Sequence, residues 1–210
     1  MEELIEQVRV LQKEPVAKII EGRLREFERV GKQCSKRWFS ELCFCILTAN
    51  SKAVTALAIE KELGVNGFCT FSFERIRECI RDNKHRFHNN KAKYICEARD
   101  YLNIKEKVIS ITKEEGELKT RKWLAKSIKG LGYKEASHFL RNVGYRNVGI
   151  IDRHIISILG DHGVERPKVI TEKTYLDIEN KIKEIARKIA MSPARLDLYL
   201  WYIKTGKVLK

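Results

Sequence analysis

An all-α fold is what this sequence predicts, and three observations predict it. Apolar residues recur at spacings of three and four through most of the chain, the mark of helices with one buried face. Alternation of period two, the mark of a strand, is absent apart from short pieces such as VISIT at 108–112. Helix punctuation is also in place: Ser192-Pro193 reads as an N-cap followed by proline at the first helical position.

Taken in order, residues 3–30 carry Leu4, Val8 and Leu11, then Val16, Ile19, Ile20, Leu24 and Phe27, on a helical stripe. The run RWFSELCFCILTA at 37–49 is apolar nearly all round after Glu41, as expected of a central buried helix. Phe87, Lys91, Ile95, Ala98 and Leu102 share one face of residues 86–102. A helix ending in WLAKSI at 123–128 is followed by one opening near Tyr133, with Ala136, Phe139, Leu140 and Val143 on a stripe. Tyr175, Ile178, Ile182, Ile185 and Ile189 line another stripe over 172–190. The last helix, from Pro193 toward Lys204, is apolar on all sides at 198–202 and needs two surfaces to bury against. No repeat or low-complexity stretch appears, and three prolines leave no tether. Packing must therefore make any division: residues 31–126 as a central helical barrel, and 1–30 with 127–210 as a lobe of terminal helices.

Forty-two Lys and Arg stand against 28 Asp and Glu, a formal charge of +14. The excess is spread along the chain, so the basic surface belongs to a folded body, and it points to a polyanionic partner. The six cysteines, from Cys34 to Cys96, form no C-x-x-C pair and match no zinc-ribbon or finger spacing. Cys43 and Cys45, inside LCFCIL, read as small buried hydrophobes, and the set as reduced cytoplasmic thiols. No signal peptide and no apolar run near eighteen residues is present, which argues against secretion and membrane spanning. Five histidines occur without H-E-x-x-H or comparable spacing, so no catalytic metal is expected.

The sharpest pattern lies at Lys129-Gly130-Leu131-Gly132, between two helices. Its glycines allow unusual φ angles and close backbone approach. The amides and positive dipole end of the second helix can hold a phosphate oxygen. An ordinary αα-hairpin turn gives the same pattern, but the net charge favours a contact to a DNA backbone. Lys134 sits at the start of the second helix, against the dipole preference for acids, and Asp152 follows eighteen positions later.

The segment I128-K129-G130-L131-G132-Y133-K134-x-A136 resembles the helix–hairpin–helix of the DNA glycosylase superfamily named for that hairpin, a Gly/Pro-rich loop and an aspartate. Lys129 stands in place of the common loop proline, and G149-I150-I151-D152 resembles the approach to the family's aspartate. The resemblance implies two helical subdomains with an active-site cleft between them. It gives Lys134 the role of a nucleophile that attacks C1′ of a deoxyribose and holds the sugar as a Schiff base. For that the amine must shed its proton, which desolvation and nearby cations favour; Lys126, Lys129 and Arg141 are the sequence neighbours. Asp152 would stay ionised beside the developing oxocarbenium ion, and it also reads as a plain N-cap.

No Cys follows Cys96, which sets aside the iron–sulfur branch. The length, the hairpin, the aspartate and the closing LYLWYIKTGKVLK resemble the second, archaeal-type family of 8-oxoguanine DNA glycosylase/AP lyases. That resemblance implies duplex DNA containing 8-oxoguanine as partner, base flipping, excision and then strand cleavage by β-elimination. It implies a monomer in the cytoplasm, without a cofactor, although such hairpins can hold sodium or potassium through backbone carbonyls. It places Gly130, Gly132, Lys129 and His154 on the DNA backbone. Asn50 would fill the gap left by the flipped nucleotide, with Ser51 and Lys52 beside it; a helix-capping Asn is the plain alternative. Phe87 and Trp201 would hold the flipped base, where core packing is the competing account. The terminal carboxylate of Lys210 would accept from the N7–H that 8-oxoguanine has and guanine lacks. Two other readings stay open: the same machinery on a different damaged base, and a non-catalytic hairpin protein that only binds DNA.

Overall fold

The computed structural model describes all 210 residues, and its regular elements are helices throughout. They are α1 (Glu2–Leu11), α2 (Pro15–Lys32), α3 (Ser35–Thr48), α4 (Ala53–Thr70), α5 (Phe73–Asp82) and α6 (His88–Glu97) with a 3₁₀ turn at Ala98–Tyr101. Then come α7 (Ile104–Glu115), α8 (Glu117–Ser127), α9 (Tyr133–Asn142), α10 (Arg153–Asp161), α11 (Glu172–Lys188) and α12 (Pro193–Thr205).

The stripe over residues 3–30 is carried by two helices, because Pro15 opens α2 and is disfavoured inside a helix. Ile19, placed on that stripe, is exposed. The segment VISIT lies within α7. Ser192 caps α12 by accepting from the Arg195 amide, with Pro193 in its first turn, as the sequence predicts.

The chain divides into two compact units, residues 30–139 and residues 1–29 with 140–210. In the middle unit α3 is buried continuously from Trp38 to Thr48 and packs against α4, α6 and α7. Each fully buried Leu, Ile or Phe of such a helix contributes about 1.5–3 kcal/mol. Sequence periodicity assigns the hairpin and Lys134 to the terminal lobe, whereas this division begins that lobe at Leu140. Side-chain packing explains the difference. Phe139 meets Trp38 edge-on at 6.0 Å, His138 meets Phe44 at 5.6 Å, and the Arg121 guanidinium lies 5.2 Å from the Tyr133 ring centre. In the terminal unit α12 packs against α1, α10 and α11, and Leu196 to Leu200 are buried. All six cysteines are free thiols, and Cys43 and Cys45 are buried. No helix is long and apolar enough to cross a membrane.

Candidate active site

The hairpin takes its shape from one glycine. Gly130 has φ +86°, and a Cβ there would lie 2.6 Å from Cδ2 of Tyr94 on α6. Backbone angle and space both exclude any other residue. Lys129, read from sequence as a phosphate-seeking charge, forms an exposed ion pair with Glu97 of α6 at 3.3 Å. Such pairs are worth at most about 1 kcal/mol, so a phosphate can compete for it.

Lys134 occupies the second position of α9, where the dipole disfavours a cation. The next residue resolves the conflict. Glu135, 9% exposed, accepts from the Gly132 amide through Oε2 at 3.1 Å and holds the Lys134 Nζ at 3.2 Å from Oε1. A carboxylate three residues into a helix and reaching back to the N-cap amide is half of a capping box. One side chain therefore ties the hairpin glycine to the amine. Glu135 is absent from the sequence-level site, although its place three residues after Gly132 was the signal for it.

A second residue missed from sequence is Lys91. It is 5% exposed, and its Nζ donates to the Ile46 carbonyl at 2.6 Å. Burial pushes this amine down to about 8; the charge of Glu135 opposes that shift and Lys134 adds to it. Lys91 is thus a cation that Lys134 meets electrostatically. Of the three cations suggested from sequence, Lys129 pairs with Glu97 and Arg141 with the buried Asp197 at 2.6 Å, while Lys126 is exposed.

The approach to Asp152 is pinned to α11. The Gly149 amide donates to Glu179 Oε1 at 2.9 Å, Tyr175 donates its hydroxyl to the Gly149 carbonyl at 2.8 Å, and the Ile151 amide donates back to that hydroxyl at 3.2 Å. Asp152 then caps α10, one oxygen accepting from the His154 and Ile155 amides at 2.8 and 2.9 Å. The plain N-cap reading of this residue therefore holds, and Oδ1 makes both bonds. His154 sets its ring edge-on to Trp201, centroids 4.7 Å apart, so Asp152, His154 and Trp201 gather on the start of α10 and on α12. Asp197 lies close by on α12. Burial raises its carboxyl to about 7, Arg141 lowers it, and the charge of Asp152 raises it further.

Asn50 follows α3 with φ +58°, a left-handed conformation that Asn tolerates better than most residues. It is exposed, as is Lys52, the N-cap of α4, with half-buried Ser51 between them. Phe87 precedes α6 rather than lying on its buried face, and is 38% exposed with Arg86 stacked 4.8 Å from its ring. Core packing does not describe it. Trp201 is half-buried, and Lys210 lies past Gly206, whose φ of +68° ends α12. The hairpin, Lys134, Asn50, Ser51, Lys52 and Phe87 belong to the middle unit; Asp152, His154, Trp201 and Lys210 belong to the terminal one. No group of three or more His, Cys, Asp or Glu side chains is placed to hold a metal.

Comparison with known proteins adds a family. Residues 20–191 match the family model described as 8-oxoguanine DNA glycosylase. The chain is 45% identical over 212 residues to the 8-oxoguanine DNA glycosylase/AP lyase of Korarchaeum cryptofilum, covering 100% of this chain and 99% of that protein. It is 44% identical over 209 residues to the protein of that description from Methanocaldococcus jannaschii, covering 99% of each. The crystal structure of the Methanocaldococcus jannaschii glycosylase/lyase with a DNA 15mer containing 8-oxoguanine superposes with a TM-score of 0.95, covering 99% of this chain and 100% of that one.

Proposed function

The chain belongs to the 8-oxoguanine DNA glycosylase family, and from that premise we propose that it excises 8-oxoguanine from duplex DNA through Lys134 and then cuts the abasic strand. The observation that carries this reading is the Lys134 amine on the opening turn of α9, just past the hairpin glycine and held by Glu135. The neutral amine bonds C1′ as the glycosidic bond breaks, and the departing base takes up a proton. Opening of the sugar ring, with O4′ protonated, leaves an imine between Lys134 and C1′. Loss of a C2′ proton then expels the 3′ phosphate. Asp152 keeps its charge beside the cationic sugar. The hairpin amides and His154 hold phosphates, Asn50 fills the vacated stack with Ser51 and Lys52 at the backbone, and Phe87 and Trp201 hold the base. The protein acts as a monomer in the cytoplasm, and no step is routed through a metal or cofactor.

Borohydride trapping tests the proposal. Wild-type protein incubated with duplexes carrying 8-oxoguanine opposite each of the four bases should give a covalent adduct that the undamaged duplex does not. No adduct with any of the four overturns the reading; adducts with a different lesion alone transfer it to another damaged base. For Lys210, the proposed contact is its terminal carboxylate accepting from N7–H. Residues appended beyond Lys210 should then lower excision of 8-oxoguanine by about 10-fold or more, the loss expected when a buried donor goes unpaired. Unchanged excision by the extended chain removes the contact.

A further inference from the structure

The last four carbonyls of a helix have no amide of the next turn to satisfy them fully. In α3 these belong to Cys45, Ile46, Leu47 and Thr48, and each meets a donor from outside the helix ladder. Thr48 Oγ1 donates to Cys45 at 2.8 Å and the Ser51 amide to Thr48 at 3.2 Å. The middle two are taken from a distant part of the chain: Lys91 Nζ lies 2.6 Å from the Ile46 oxygen, and His85 Nε2 lies 3.0 Å from that of Leu47.

His85 also fixes a second segment. The Phe87 amide donates to its Nδ1 at 3.2 Å, which leaves the ring proton on Nε2, facing Leu47. The neutral ring is the only form that satisfies both partners, and its burial at 3% exposure lowers its pKa in the direction that keeps it neutral. One imidazole thus spans the end of α3, where Asn50 emerges two residues past Thr48, and the backbone of Phe87. His85 and Lys91 are both buried and both polar, and neither is given a bond-making or bond-breaking step in the proposed chemistry.

We propose that His85 and Lys91 are positioning residues for nucleotide flipping, holding the Asn50 turn and the Phe87 ring in fixed register. This rests on the proposed roles of Asn50 and Phe87. Flipping requires a plug to enter the stack while a surface receives the base. Two separate segments serve that step only if their spacing is set beforehand, and the shared donors set it. An apolar pair could pack α3 as well, but could not bind the two carbonyls and the Phe87 amide together.

The test compares two activities of the full chain. One is single-turnover excision of 8-oxoguanine from duplex DNA, which needs flipping. The other is borohydride trapping on a single-stranded abasic oligonucleotide, which has no base to receive and no stack to fill. His85→Ala should lower the ratio of the first to the second by roughly ten- to a hundredfold, the loss expected from a misplaced binding group. The Asn50→Ala/His85→Ala double variant should be no worse in excision than the weaker single, because coupled residues lose one function once. His85→Gln, whose amide can still donate to Leu47, should recover part of the ratio. If His85→Ala fails to fold, Lys91→Met replaces it, with the same fall expected. An equal loss in both activities, no loss in either, or losses that multiply in the double variant overturns the inference. A wild type inactive on both substrates removes the parent reading instead, and this one with it.

Discussion

Lys134→Gln should give no borohydride adduct and should lower excision of 8-oxoguanine by about 10³-fold or more, the scale on which removing a nucleophile acts. The substitution is a clean one. The Lys134 side chain is partly solvated, and its one close ionic contact is Glu135 at 3.2 Å, so losing the pair costs no more than about 1 kcal/mol. Glu135 keeps its bond to the Gly132 amide at 3.1 Å, which preserves the start of α9. Thermal unfolding and duplex binding should therefore stay close to wild type while the covalent step vanishes. A variant that traps as efficiently as wild type would show that the amine belongs to another residue.

Asp152→Asn is expected to slow base release by about 10²- to 10⁴-fold with DNA binding retained, the range covered by a single acid–base or charge-stabilising group. The structure makes this substitution discriminating. Asp152 is an N-cap whose Oδ1 accepts from His154 and Ile155, and Asn caps helices about as well as Asp. What Asn cannot supply is the negative charge, worth about 0.3–1 kcal/mol to α10 through the helix dipole and far more to a cationic sugar. Single-turnover kinetics on the 8-oxoguanine duplex, beside a melting curve, separate the two contributions. Unchanged turnover would reduce Asp152 to its capping role.

Helices were legible because their signal is local. The stripe of α11 and the Ser192-Pro193 start of α12 need only neighbours in sequence, and both stand where the pattern places them. The hairpin was legible for the same reason, since Gly130 answers to a backbone angle. Residues whose meaning depends on a distant partner were not. Lys91 read only as one residue of a helical stripe, and its acceptor lies on α3, 45 residues earlier. Tyr175 read as core, yet its hydroxyl holds the strand of backbone leading to Asp152. Arg141 read as one of the cations neighbouring Lys134, and it pairs with Asp197. The sequence places the later boundary of the middle unit at 126 and the packing places it at 139, because the aromatic contacts of Phe139 and His138 with α3 are tertiary.

Gly130 and the Tyr94 ring approach so closely that the loop cannot shift toward α6 without moving it. Tyr94 lies three residues beyond Lys91 on α6, and Phe87 is the residue that precedes this helix. A side chain at position 130 would press on that ring, and the ring is carried by the same helix whose Lys91 holds the end of α3.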